Sequence, residues 1–198
     1  METLIQAAQR DSEKVVSLPP FLPVLDKKHI RLERGQLCMV VAPPNGMKSA
    51  FSLWYALKAK VPTFYFSADT DRRTTEYRAI ASRSQYTFDE VKGMAGTSAD
   101  DIINDERAQI TKDGIFFCFD PAPTIKDLDL EIQAYEEVFG EGHLQLVIVD
   151  NLLNMMTGDA GDFAGLIDVL SALHSLARSK DLAVMVLHHV NVREGKHA

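Results

Sequence analysis

The sequence predicts an α/β fold, a mostly parallel sheet with helices on both faces. Three observations point there. Five short runs rich in Val, Ile, Leu and Phe alternate with five longer helix-like runs along the 198-residue chain. The short runs show little polar alternation, as expected of strands buried on both sides. The first of them ends in a loop, Ala42-Pro43-Pro44-Asn45-Gly46-Met47-Lys48-Ser49, that leads straight into a helix-like run. Strand, glycine-containing loop, Lys-Ser pair and helix, in that order, are the parts of a phosphate-binding loop.

Taken in order, residues 1–24 read as an N-terminal arm or linker. They are polar at first and stiffen at Pro19-Pro20-Phe21-Leu22-Pro23. Residues 25–198 read as one domain, since a chain this long supports a single core more readily than two. Strands are expected near 37–42, 63–67, 115–119, 144–149 and 182–188. Helices are expected near 49–60, 71–84, 99–112, 125–139 and 162–179. Gly93-Met94-Ala95-Gly96-Thr97-Ser98 reads as a polar loop, and Thr157-Gly158-Asp159-Ala160-Gly161-Asp162 as a second one. Arg178-Ser179-Lys180 and Asp181 close the last helix. Strands joined through helices imply right-handed crossovers.

Bulk composition excludes several classes. The longest apolar stretches, such as Leu146-Val147-Ile148-Val149, are far too short to span a bilayer, and Met1 to Lys14 lacks the pattern of a signal peptide. Cys38 and Cys118 both fall in strand-like runs, so they read as buried free thiols. A cytoplasmic protein is the expectation. The net charge of −7 argues against a protein devoted to coating duplex DNA. It is compatible with a small basic loop inside a ring that is acidic outside. Lys27-Lys28 with Arg31, Arg72-Arg73 and the tail from Arg193 to His197 are the local basic clusters.

Four strand ends carry the candidate chemistry. At the loop, unpaired backbone N–H groups and the positive end of the following helix form a nest for a phosphate. Lys48 would neutralise β/γ oxygens, and Ser49 would bind Mg²⁺. The full motif has glycine where Ala42 and Met47 stand. Methionine fits if its φ is negative and its side chain points away, with the left-handed turn carried by Asn45 and Gly46. Asp150 ends the run Leu146 to Val149, at the sheet edge where open α/β sheets bind ligands. A carboxylate there would hold Mg²⁺ opposite Ser49; otherwise it opens the next turn. Phe64-Tyr65-Phe66-Ser67-Ala68-Asp69 delivers a second acid. Asp69 is the first choice to activate an attacking water, and Asp71 reads better as a cap for the helix at Arg72-Arg73. Val184-Met185-Val186-Leu187 ends in His188-His189. Neighbouring strand residues point apart, and no metal-binding partner lies nearby in sequence. His189 therefore reads as a γ-phosphate sensor or a structural histidine.

With these residues in view, the chain resembles the RecA-like motor domain of DnaB-type replicative helicases, including plasmid RepA-like and phage versions. The likeness spans about residues 25–193. Arg34-Gly35-Gln36-Leu37 through Ser49 is similar to the stretch leading into that family's first motif. Phe66-Ser67-Ala68-Asp69 resembles the segment ending in its catalytic glutamate, so Asp69 would take that role. Leu146 to Leu153 resembles the Walker B segment, with Asp150 as its acid, and Leu187-His188-His189-Val190-Asn191 resembles the segment with the γ-phosphate sensor. The resemblance implies a RecA-like P-loop NTPase core binding ATP and Mg²⁺, acting on single-stranded DNA, and assembling as a homo-oligomer, expected to be a hexamer. It places the last strand between the loop strand and the Walker-B-like strand. Arg193 is the candidate for an arginine finger. Two other readings remain open: a regulatory ATPase of the same fold without unwinding activity, and a non-catalytic interaction domain with a decayed loop, for which Met47 is the argument.

Overall fold

A computed structural model describes residues 16–156 and 163–190. The first fifteen residues of the arm, the loop expected at Thr157–Asp162, and Asn191 and Arg193 with the rest of the tail lie outside the described residues. Five strands form one parallel sheet: β1 Leu37–Ala42, β2 Thr63–Ser67, β3 Ile115–Cys118, β4 Leu146–Asp150 and β5 Ala183–His189, in the order β1-β5-β4-β2-β3. β5 thus lies between β1 and β4, as the resemblance implied.

Alternation within each strand builds two cores. Tyr65, Ile148, Met185 and Leu187 face one cluster, while Phe64, Phe66, Val147, Val149, Val184 and Val186 face the other. Successive side chains point to opposite faces, so a strand that is apolar at every position feeds both. The chain's described helices are α1 (Pro23–Asp26), α2 (Lys48–Ala59), α3 (Arg72–Arg83), α4 (Phe88–Met94), α5 (Asp100–Lys112), α6 (Ile125–Phe139) and α7 (Phe163–Ser179). The first cluster is covered by α2, α3, α4 and α5, and the second by α6 and α7.

The helix starts follow local chemistry. Asp71 caps α3 by accepting from the Thr74 amide at 3.0 Å. Thr87 with Glu90, and Thr124 with Asp127, form reciprocal capping boxes at α4 and α6. The structure corrects one expectation here. Gly93 and Met94 belong to the end of α4 and not to a loop. The capping box and the buried Val91 outweigh the cost of one glycine in the last turn.

The described part of the arm packs on the domain. Leu18 and Phe21 are buried in the first core, the Phe21 and Tyr55 rings lie 4.4 Å apart, and the Tyr55 hydroxyl donates to the Pro19 carbonyl at 2.8 Å. Pro23 then opens the short helix α1. Among the described residues, no helix is long and apolar enough to cross a membrane.

Candidate functional site: a phosphate-binding loop at four strand ends

The parallel sheet brings the C-terminal ends of β1, β5, β4 and β2 side by side. Ala42 lies opposite His189, and Ser67 opposite Asp150. Residues from distant parts of the chain therefore meet on one edge. A cavity of about 390 Å³ opens there, lined by the loop from Asn45 to Ala50 together with Asp69, Thr70, Arg78 and His189.

The loop's backbone differs from the expectation. Asn45 (φ 61°) and Met47 (φ 57°) are the left-handed residues, and Gly46 is not. Gly46 is needed for space instead. A Cβ there would lie 2.7 Å from the Ala42 Cβ and 2.8 Å from the Pro43 carbonyl oxygen. Its amide donates to that same carbonyl at 3.0 Å and closes the turn. Met47 accepts a conformation that ordinarily favours glycine, and its side chain, 74% exposed, extends into solvent. Met47 also takes the N-cap position, where it offers no side-chain cap to the first amides of α2. Those amides stay free to meet an anion.

Lys48 is buried at 5% exposure. Its ammonium donates to the Ala42 and Pro43 carbonyls at 3.0 and 3.1 Å and to His189 Nδ1 at 3.0 Å. Among the described residues no carboxylate stands within ion-pairing distance of it. A buried cation held by neutral groups at a cavity wall fits an anionic ligand. Because lysine only donates, Nδ1 accepts, and the ring hydrogen sits on Nε2. Nε2 faces Asp69 Oδ2 at 3.5 Å. His188 points away from this group. Its Nδ1 is buried without a partner among the described residues, and burial lowers its pKa, with the nearness of His189 and Lys48 acting in the same direction.

Asp150 is 3% exposed, and burial is the main force raising its carboxyl above the usual range. Hydrogen bonds from Ser49 and Tyr65 oppose that rise, nearby Asp69 adds to it, and Lys48 opposes it. The Tyr65 hydroxyl donates to Oδ2 at 2.9 Å and lies 2.9 Å from the Ser52 hydroxyl. Burial, then the charge of Asp150, pushes the Tyr65 phenol well above its ordinary value, so it stays a donor. A buried carboxylate with only hydroxyl partners, a second acid nearby and Ser49 beside it suits a divalent cation. Among the described residues, no cluster of three or more His, Cys, Asp or Glu could hold a metal, so a metal here would share its coordination with phosphate oxygens.

The two aspartates after β2 separate. Asp69 lines the cavity, whereas Asp71 is the cap of α3, and its carboxyl is lowered by its hydrogen bond to Thr74. Pro44 is exposed and does not line the cavity; Ala42 and Pro43 contribute their carbonyls to Lys48. Sequence reasoning missed Tyr65, Arg78 and Asn151. Asn151 donates from Nδ2 to Asp69 Oδ2 at 2.6 Å. Arg78 lines the cavity and makes no hydrogen bond or ion pair among the described residues. It lies two turns into α3, nine residues past Asp69, and only that helix's path returns it to the site.

Known proteins share this architecture. A DnaB-like replicative helicase, solved with its interactions with primase, superposes with a TM-score of 0.79 at 16% identity, covering 100% of this chain and 52% of that one. A second solved structure, that of an ATPase domain, gives a TM-score of 0.78 at 14% identity, covering 98% of this chain and 74% of that one. At such identities the likeness establishes the fold. In sequence, the chain is 36% identical over 177 residues to the Gene 65 protein of Mycobacterium phage L5, and 35% identical over 158 residues to the Gene 65 protein of Mycobacterium phage D29. The alignments cover 87% and 78% of this chain but only 65% and 66% of those proteins. The AAA domain family matches residues 9–195. With the fold of a RecA-like P-loop NTPase core and the loop from Ala42 to Ser49 at its strand ends, this chain belongs to the AAA domain family.

Proposed function

We propose that the chain is the ATP-binding and ATP-hydrolysing core of a DNA helicase of the DnaB type, with RepA-like and phage members as its relatives. The observation that carries the reading is convergence. Lys48, Asp69 and His189, from three strand ends, line one cavity, and Asp150 from a fourth lies buried behind its wall, hydrogen-bonded to the cavity-lining Ser49.

In this reading the amides of Met47, Lys48 and Ser49 cradle the β-phosphate, and Lys48 leaves the Ala42 and Pro43 carbonyls to meet β/γ oxygens. Ser49 and Asp150 would hold Mg²⁺, which supplies charge neutralisation on the phosphates. Asp69 accepts the proton of the attacking water. His189, whose Nδ1 accepts from Lys48, turns its Nε2–H from the side of Asp69 to a γ-phosphate oxygen and so reports its loss. Arg78 meets phosphate oxygens from the opposite wall. The active assembly is a homo-oligomer, a hexamer, with the site at a subunit boundary and single-stranded DNA as the polymer on which it acts. The free thiols of Cys38 and Cys118 fit a cytoplasmic setting.

Lys48→Ala tests the catalytic half. It is expected to abolish Mg²⁺-dependent ATP hydrolysis, and unchanged turnover contradicts the assignment. Binding of single-stranded DNA, with an affinity that falls as salt rises, tests the other half. ATPase activity without any such binding favours a regulatory ATPase of the same fold.

A further inference from the structure

We propose that Asn151 is a positioning residue for Asp69, holding one carboxylate oxygen so that the other is left for the attacking water. The inference rests on the ATP-hydrolysis reading and adds to it a residue that does not touch the nucleotide.

Three contacts define the device. Asn151 Oδ1 accepts from the Leu153 amide at 2.8 Å, capping the 3-10 turn Leu152–Met155. That bond fixes the rotation of the side-chain amide, because only the oxygen can accept. Nδ2 is thereby aimed at Asp69 Oδ2, 2.6 Å away. His189 Nε2 faces the same oxygen at 3.5 Å. Asn151 makes the hydrogen bond to Oδ2, His189 lies on the same side, and Oδ1 has no hydrogen bond among the described residues.

The anchor is buried where the acid is not. Asn151 is 3% exposed, while the Asp69 side chain is 37% exposed on the cavity wall. Leu152 and Met155 bury the capped turn in the second core, and the Asn154 side chain ties it to the Pro121 carbonyl at 3.1 Å. An acid on a short side chain at a loop start needs such an external hold, since misplacement by about an ångström costs on the order of a hundredfold in rate. Asparagine suits the task because it donates without titrating.

The step it serves is balanced. The water oxygen forms a bond to the γ-phosphorus, and the bond from that phosphorus to the β,γ-bridging oxygen breaks. Its electron pair stays on the departing ADP, and the water proton passes to Asp69 Oδ1.

The test uses the full chain with four variants: Asn151→Ala, Asn151→Ser, Asp69→Asn and the double variant Asn151→Ala/Asp69→Asn. Turnover is measured with Mg²⁺-ATP, and affinity with a fluorescent ATP analogue and Mg²⁺. Serine retains an oxygen able to cap Leu153 but lacks the reach to Asp69. Both single Asn151 variants are expected to lose about ten- to a hundredfold in kcat with the analogue's Kd within about twofold of wild type. In the Asp69→Asn background, Asn151→Ala is expected to cost nothing more. Asn151 variants with kcat within about twofold of wild type, beside an inactive Asp69→Asn, overturn this inference alone. Loss of nucleotide binding in both Asn151 variants also overturns it, because the residue is then structural. Full turnover by Asp69→Asn instead overturns the hydrolysis reading beneath it.

Discussion

Met47 holds a left-handed backbone that costs an L-residue about 1–2 kcal/mol and glycine almost nothing. Part of that is offset by the greater freedom of glycine in the unfolded chain. Met47→Gly is therefore expected to stabilise the protein by about 0.5–1 kcal/mol, raising Tm by about 1–4 °C in a thermal melt. Gly46→Ala is expected to act the other way. Its methyl would press on Ala42 and on the Pro43 carbonyl, so the loop must open or shift, and nucleotide affinity should fall at least about tenfold. Asp150 links stability to pH. Its pKa is raised on folding, so the folded state binds the proton more tightly and ionisation disfavours the fold. Asp150→Asn, which still accepts from Tyr65, should raise Tm at neutral pH. That gain should shrink as pH falls through the window between the raised folded value and the unfolded value of about 3.9. The same variant should lose Mg²⁺-dependent hydrolysis. Lys48, Asp69, Asp150 and His189 are legible in the sequence because each ends or follows an apolar run and stands out against it. Tyr65 is hidden inside such a run, and its role needs the register that sets Ser67 against Asp150. The left-handed turn at Asn45 is legible, but that at Met47 is not, because Gly46 invites a conformational explanation whereas the constraint on it is space.

At the scale of elements, strand and helix positions follow from periodicity within about two residues, except for α4 and the one-turn α1, which falls where a stiff connector is expected. Its signal, Thr87 with Glu90 three residues on, is present but masked by Gly93. Cross-links between helices are not legible, since they depend on how α3 and α5 lie against each other. Arg83 shows the consequence. It pairs with Glu106 at 3.0 Å and with Asp113, joining the end of α3 to α5, and all three side chains are at most 25% exposed. Arg83→Ala leaves two partly buried acids without their cation. It should destabilise the protein by about 1–3 kcal/mol, read as a lower denaturant midpoint with the slope unchanged. It lies outside the cavity, so nucleotide affinity should stay at the wild-type value wherever the protein is folded.

For the whole molecule, one arrangement explains the rest. Strand order β1-β5-β4-β2-β3 takes an aspartate, a lysine and a histidine separated by up to 141 residues and sets them around one opening, with Asp150 buried behind Ser49. The buried ammonium of Lys48, satisfied by carbonyls and an imidazole and by no acid among the described residues, is the physical core of the account. A triphosphate would give that charge its partner. Calorimetric titration of the chain with a non-hydrolysable ATP analogue and Mg²⁺, beside Lys48→Ala, tests this most directly. One saturable site per chain, lost in Lys48→Ala while that variant stays folded, is the expected result. No binding by the wild-type protein at millimolar nucleotide, or equal binding by Lys48→Ala, contradicts it.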